Sequence, residues 1–390
     1  MGILKKFIRC VPLFLAVTFF PASPAIGGQC IVYVGTLSRG TSKGIYAFRF
    51  DSGTGKLDSL GLAAEIVNPA FLAIHPNHRF LYAVGNSPDS TGQNVGTVSA
   101  FSIDPNTARL TLINKVPAHG SDPTYVCTDK TGKNLLVANY VGGNVAVIKI
   151  RDDGGLGETS AVVQHSGSSV HPKRQFKPFA HCIMASPDNR FVLVSDLGLD
   201  QIVVYRFDAK KGSLEPNDPS FVKLTPGAGP RHFAFHPNGR FLYSINELQS
   251  TVTVFAYDAL KGTLVELQTV TALPDNWSGE STASEVLVHP NGRFLYGANR
   301  GHNSIAVFPI DRKAGTLKSV EWFPVKGRPR NFRIDPSGAF LIVADQDSHD
   351  IVLLRIDRRN GRLQETGKSF KVSWPWCVKY LPWDKKVGKW

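Results

Sequence analysis

Short apolar runs, several alternating with polar positions, recur along the chain between turns marked by glycine and proline, the pattern of strands in an all-β protein. The runs are copies of one another. His75–Tyr82 (HPNHRFLY), His236–Tyr243 and His289–Tyr296 (both HPNGRFLY) are near repeats, and Thr128–Leu136, Ser186–Leu193 and Ile334–Ile342 are weaker ones. Their spacing of roughly 46 to 57 residues suits a four-stranded propeller blade.

Within a unit, an apolar strand A leads through the turn into a strand B that ends in Asn or Asp, and a strand C such as Thr251–Phe255 follows. A second turn sets Asp four residues before Gly and six before Leu, at Asp51/Gly55/Leu57, Asp208/Gly212/Leu214, Asp258/Gly262/Leu264, Asp311/Gly315/Leu317 and Asp357/Gly361/Leu363. The glycine supplies the positive φ of a hairpin loop, and the leucine opens a strand D. One more blade is split between the ends of the chain. A proline precedes the turn by seven residues at Pro69/Pro76, Pro230/Pro237 and Pro329/Pro336, and the spacing returns at Pro375/Pro382. Trp374–Pro382 is therefore a strand A without partners, while Ile31–Gly35 and Gly44–Phe50 are strands B and C that lack one. The expectation is a single all-β domain over residues 26–390. It is a seven-bladed β-propeller of four-stranded antiparallel blades, closed by pairing of the C-terminal strand with the N-terminal strands.

The first 25 residues stand apart. Lys5, Lys6 and Arg9 precede the apolar run Val11–Phe20 and the small-residue site Ser23-Pro24-Ala25, the layout of a signal peptide, which predicts a periplasmic or extracellular protein. No run is long enough to predict a membrane span, and Gln29 before Cys30 argues against a lipid anchor. Removing the leader takes the formal charge from +13 to +10, but the basic residues are scattered. Their distribution fits solubility and attraction of an acidic small molecule, not nucleic acid, and a monomer is expected. Cys30, Cys127, Cys182 and Cys377 have no CxxC or CxxH spacing and read as small buried hydrophobes.

The stretches Gly229–Glu247 and Ala298–Phe308, with Arg174–His181 and Ser195–Gly198, resemble the lactonase family of seven-bladed propellers, which includes bacterial 6-phosphogluconolactonases and fungal carboxymuconate cyclases. The resemblance spans essentially the whole mature chain. It implies a catalytic group at His181, Arg231, Glu247 and Arg300. The chain departs from the family at Phe179, where a histidine is usual, and at Gly85-Asn86, where Asn-Glu is frequent.

Topology alone brings the four residues to one rim. In an antiparallel meander, strand A begins and strand B ends on the same face. His181 and Arg231 lie at strand A starts, and Glu247 and Arg300 follow strand B ends. Such a site suits an anionic ester or lactone: Glu247 or His181 as base or acid, with Arg231 and Arg300 holding an anion and stabilising an oxyanion. Trp277, Asn299 and Asp196 are the substrate-binding candidates. Trp277 offers a ring to stack on a sugar, while the Asn and Asp residues that end strand B (Asn139, Asp196, Asn246, Asn299, Asp345) also read as turn caps. His232 alternates away from Arg231 and reads as a packing residue, and His75, His236 and His289 belong to the opposite face. Arg231 and Glu247 have a plain alternative as a structural ion pair.

No Gly-x-Ser-x-Gly elbow, P-loop or HExxH is present, no acidic cluster announces calcium, and no cofactor is expected. The reading is a metal-independent lactonase acting on a small anionic or sugar lactone. The alternatives are a carboxymuconate cyclase-like lactonising enzyme and a non-enzymatic ligand- or partner-binding propeller.

Overall fold

A computed structural model describes residues 28–383 apart from 89–91 and 93; the leader expected over residues 1–25 lies outside them. The described residues form seven antiparallel sheets of four strands each, arranged as blades around a central channel. Blade 1 joins the two ends of the chain in the order Pro375–Trp383, Gln29–Thr36, Gly44–Asp51, Lys56–Glu65. Blades 2 to 7 follow in sequence. Their inner strands A are Leu72–Ile74, Pro123–Thr128, Ala180–Ala185, Pro230–Phe235, Thr282–Val288 and Pro329–Ile334.

Burial follows radial position. Strand B of blades 3, 4, 5 and 7 (Asn134–Asn139, Phe191–Asp196, Phe241–Asn246, Phe340–Asp345) is buried at every residue, because a neighbouring blade covers each of its faces. That is why these strands are almost continuously apolar. The outer strand of blade 5, Thr263–Thr271, exposes most of its residues.

Polar ties between neighbouring blades repeat around the ring, each buried and each worth about 1 kcal/mol net. The Tyr33, Tyr82, Tyr243 and Tyr296 hydroxyls donate to the carbonyls of Ala108, Gly154, Gly315 and Gly361 in the next blade, at 2.8–3.0 Å. On the face away from the proposed site, His75, His236 and His289 reach the Gly132, Gly292 and Gly338 carbonyls at 2.8–2.9 Å. Their other ring nitrogen accepts the backbone N–H two residues on. Gly315 has φ +77°, and a Cβ there would come within 2.4 Å of the Phe241 ring, so no other residue fits this contact.

Blade 6 departs from the expected pattern. Leu317 makes only an isolated bridge to Ile310, and the outer strand forms later, over Glu321–Pro324. Cys30, Cys182 and Cys377 are buried free thiols, and Cys127 is a half-buried one. No helix among the described residues is long and apolar enough to cross a membrane.

Closure depends on eight residue pairs running from Gln29↔Trp383 to Thr36↔Pro375. Deleting residues 374–390 removes this strand and bares both the first blade and the channel wall. The shortened protein is expected to lose its cooperative thermal transition or to elute as oligomers in size-exclusion chromatography. A monomer with the parent melting temperature would contradict this role.

Candidate active site

The channel mouth is shaped by one backbone device repeated around the ring. In blades 3, 4, 5 and 7 the ladder between strands A and B skips one residue of strand A: Thr124, His181, Arg231 and Arg330 lie between consecutive pairs and have no partner. Trp376 is skipped in blade 1, and in blade 6 Ser284 and Glu285 together face one residue of strand B. Such bulges break the in-out alternation, so two successive side chains can turn to the same side. Arg231 and His232 consequently line one small cavity together, as do Arg330 and Asn331. The expectation that His232 points away from Arg231 is thereby corrected. It assumed an unbroken two-residue period.

Glu247, the first residue after strand B of blade 5, is the centre of the charge cluster. Its backbone bonds to Gly229 O and Ala283 N fix it between blades 5 and 6. Arg174 Nη2 meets Oε1 at 2.5 Å, and Arg231 Nε and Arg300 Nη2 meet Oε2 at 2.9 and 3.1 Å. The Arg231 contact is an ion pair whose N–H is not aligned as a hydrogen bond. Arg231 Nη1 also donates to Ser284 O, and Arg300 Nη2 donates to Ala283 O at 2.9 Å. Arg174 arrives on the long loop before strand A of blade 4, held by the buried Gln175, whose amide bonds Leu197 O and His171 N. Arg174 also donates to the Tyr140 hydroxyl, and the Tyr140 ring lies edge-on to His181 at 5.1 Å.

The electrostatics are those of a cation-rich pocket. Burial alone would raise the Glu247 pKa, but Arg300, Arg231 and Arg174 outweigh it and hold the carboxyl far below its usual range. Burial and then Arg300 push Arg231 down to about 10. Burial, then Arg231 and Arg300, act in the same way on Arg330, whose guanidinium lies 3.8 Å from the Trp376 ring centroid and whose Nε has no hydrogen-bond partner among the described residues. A guanidinium stays protonated regardless. The cost therefore persists as positive potential that an anion would relieve. Burial, then Arg231, His232 and Arg330, push the His181 pKa well below the ordinary imidazole value, and its Nδ1 has no hydrogen-bond partner among the described residues.

The structure thus joins Arg231, Glu247 and Arg300 in direct contact, with His181 lining the cavity beside Arg231. The substrate-binding candidates fare differently. Asp196 is fully buried, pairing with His165 Nδ1 at 2.7 Å and accepting the Phe179 and Gly198 amides, and Asn299 is fully buried, donating to Ala272 O and Ser304 Oγ. Both hold loops in the manner of turn caps. Trp277 sits on the rim, 37% exposed, edge-on to His302 at 4.7 Å.

Arg330, Arg174, Tyr140, Glu285, Asn331 and Trp376 join the cluster without standing out as site residues in the sequence. Arg330 left a signal: Pro329-Arg330 repeats the register of Pro230-Arg231. Glu285 left none, since its direction is set by the blade 6 bulge. Among the described residues, no group of three or more His, Cys, Asp or Glu side chains is placed to hold a metal ion.

The comparisons with known proteins agree with this architecture. Residues 31–380 match the family model described as "Lactonase, 7-bladed beta-propeller". A 6-phosphogluconolactonase of Bacillus subtilis is 37% identical over 353 residues, 90% of this chain and 98% of that one. A 6-phosphogluconolactonase of Formosa agariphila is 35% identical over 75% of this chain and 82% of that one. Among solved structures, the periplasmic gluconolactonase of Pseudomonas aeruginosa superposes with a TM-score of 0.86 at 34% identity, covering 91% of this chain and all of that one. Blade number, closure and sequence therefore agree: the chain belongs to the lactonase family of seven-bladed β-propellers.

Proposed function

We propose that this protein is an exported lactonase that opens a sugar-type lactone by water attack at the Arg231, Glu247 and Arg300 cluster. The observation that carries this reading is the excess of guanidinium at one channel mouth, where Arg174, Arg231 and Arg300 share a single carboxylate and Arg330 forms no ion pair among the described residues. A sugar lactone is neutral until water attacks its carbonyl, whereupon the carbonyl oxygen becomes an anion and the product a carboxylate. Fixed cations in a poorly solvated pocket favour those charged states over the neutral substrate, which is what accelerates the chemical step.

Arg231 and Arg330 are the oxyanion partners in this reading, and Arg300 orients the substrate from the rim. Glu247 holds the arginines in place. Both carboxylate oxygens of Glu247 are engaged by guanidiniums, which leaves none aimed at a water, so in this reading Glu247 organises the cluster and is neither base nor acid. The phosphorylated lactone named for the Bacillus and Formosa relatives is an intracellular kind of substrate, whereas the Pseudomonas relative is named as a periplasmic gluconolactonase. An unphosphorylated sugar lactone therefore accords best with the leader-like residues 1–25.

Glucono-δ-lactone hydrolysis, followed by acid release, is expected to exceed the spontaneous rate, and Arg300→Ala should lower kcat/KM by ~10²-fold, the scale of misplacing a substrate by about an ångström. Activity confined to the 6-phosphorylated lactone, or a fully active Arg300→Ala enzyme, would contradict the reading. Residues 1–40 fused to alkaline phosphatase should give periplasmic activity; a fusion inactive for want of export would refute that part. Glu247→Gln strips the counter-charge from three arginines and should cost about 3–5 kcal/mol of stability at pH 7. Because the folded Glu247 pKa lies below the ordinary 4.5, its contribution is complete above that value and fades as pH falls below it. Urea denaturation of parent and variant should therefore converge on acidification; a gap that widens would reverse the argument.

A further inference from the structure

With Glu247 committed to the arginines, the site still lacks a group to take a proton from water. We propose that His232 is the general base of the reaction, with Nε2 turned into the cavity and Nδ1 anchored by Glu285. The proposal rests on the lactonase reading above and adds to it a residue and a proton path.

The geometry sets the tautomer. Nδ1 of His232 lies 3.0 Å from Glu285 Oε1, and a carboxylate can only accept, so Nδ1 carries the hydrogen. Nε2 lies 3.4 Å from Arg231 Nη1, and a guanidinium can only donate, so Nε2 carries the lone pair, which a water reaches by displacing this long contact. Glu285 is itself fixed: Oε1 accepts the Val286 amide at 3.0 Å, Oε2 accepts from Asn331 Nδ2, and Asn331 Oδ1 accepts the Val378 amide at 2.9 Å. The chain from backbone to amide to carboxylate to imidazole crosses blades 1, 7, 6 and 5. All three side chains are buried. It is the arrangement by which a carboxylate aims a catalytic imidazole and stabilises the imidazolium that forms.

The groups facing His232 single it out. Arg231 on its own strand, His181 from blade 4 and Arg330 from blade 7 surround it, the Phe71 and Tyr125 rings contact it edge-on at 5.8 and 5.2 Å, and Glu285 from blade 6 is its counter-charge. His181 shares the cavity, but among the described residues no carboxylate pairs with its ring, and Arg231 and Arg330 oppose a proton there. Burial, the largest effect, holds His232 down to about 4, with Glu285 opposing and Arg231 adding to the fall, which leaves it unprotonated at neutral pH.

The cavity of about 10 Å³ between His181, Arg231, His232, Arg330, Asn331 and Trp376 has room for about one water and none for a sugar ring. The substrate body therefore lies toward Arg300, and the nucleophile lies beneath it. The water oxygen bonds to the lactone carbonyl carbon as Nε2 takes its proton, and the carbonyl electron pair moves to an oxygen facing Arg231 and Arg330. Collapse breaks the bond to the ring oxygen, which receives the proton from Nε2. Lactone and water become hydroxy acid, with no change of oxidation state.

The test uses the full protein with glucono-δ-lactone. His232→Gln should lower kcat by 10²–10⁴-fold, the usual contribution of a positioned base, with KM changed less than about threefold. In the parent, kcat/KM should fall as acid protonates Nε2. In Glu285→Gln, which removes the counter-charge, that fall should move to lower pH while kcat drops, a shift that a purely structural glutamate would not cause. Gluconate binding and thermal melting establish that each variant is folded; if His232→Gln does not fold, the Glu285→Gln profile decides alone. A folded His232→Gln enzyme with kcat within threefold of the parent, or an acid limb unmoved in Glu285→Gln, overturns the base assignment and leaves the lactonase reading standing. A parent inactive on every lactone removes both.

Discussion

The antiparallel pairing of Gln29–Thr36 with Pro375–Trp383 is the constraint from which the rest of the molecule takes its shape. Each of the other sheets is made from one continuous stretch of chain and could form locally. Only blade 1 joins residues more than 300 positions apart, and only with it does the row of inner strands become a closed wall. Trp376, the ring on which Arg330 rests, comes from that last strand, and Val378 in the same strand holds Asn331. The seam thus both removes the sheet edges and completes the polar scaffold of the channel.

The site shows how a protein tolerates a concentration of like charge. Four guanidiniums, at Arg174, Arg231, Arg300 and Arg330, converge on a region with two carboxylates, Glu247 and Glu285, and one of these is engaged by His232. Such an arrangement is poor for stability, since buried ions lose more hydration than their pairing returns. The surrounding ties between blades, from Tyr33, Tyr82, Tyr243 and Tyr296 and from His75, His236 and His289, supply the rigidity that keeps these charges from relaxing apart. Preorganisation of this kind removes the need to reorient dipoles during the reaction.

The fold was legible because each blade spells out its own turns. The HPNGR segments mark the hairpins between strands A and B, the Asp-to-Gly spacing marks those between C and D, and Pro375 reveals the orphan strand. Arg231, Glu247, His181 and Arg300 were legible as well, since resemblance and strand polarity place them on one rim. The bulges were not. A skipped residue in strand A is a property of how two strands pair and leaves no compositional mark, so His232 was assigned to the wrong side and Glu285 and Asn331 were passed over. At Asp196 and Asn299 turn geometry points each side chain inward onto loop backbone, which residue type alone does not specify.

The stacking of Arg330 on Trp376 also ties chemistry to the history of the chain. Residue 376 is synthesised after the other six blades, and the docking of its strand on Gln29–Thr36 is the most non-local pairing in this topology. Every earlier species leaves Arg330 without its ring and Asn331 without the Val378 amide, so the polar wall of the channel mouth is finished only when the final strand docks.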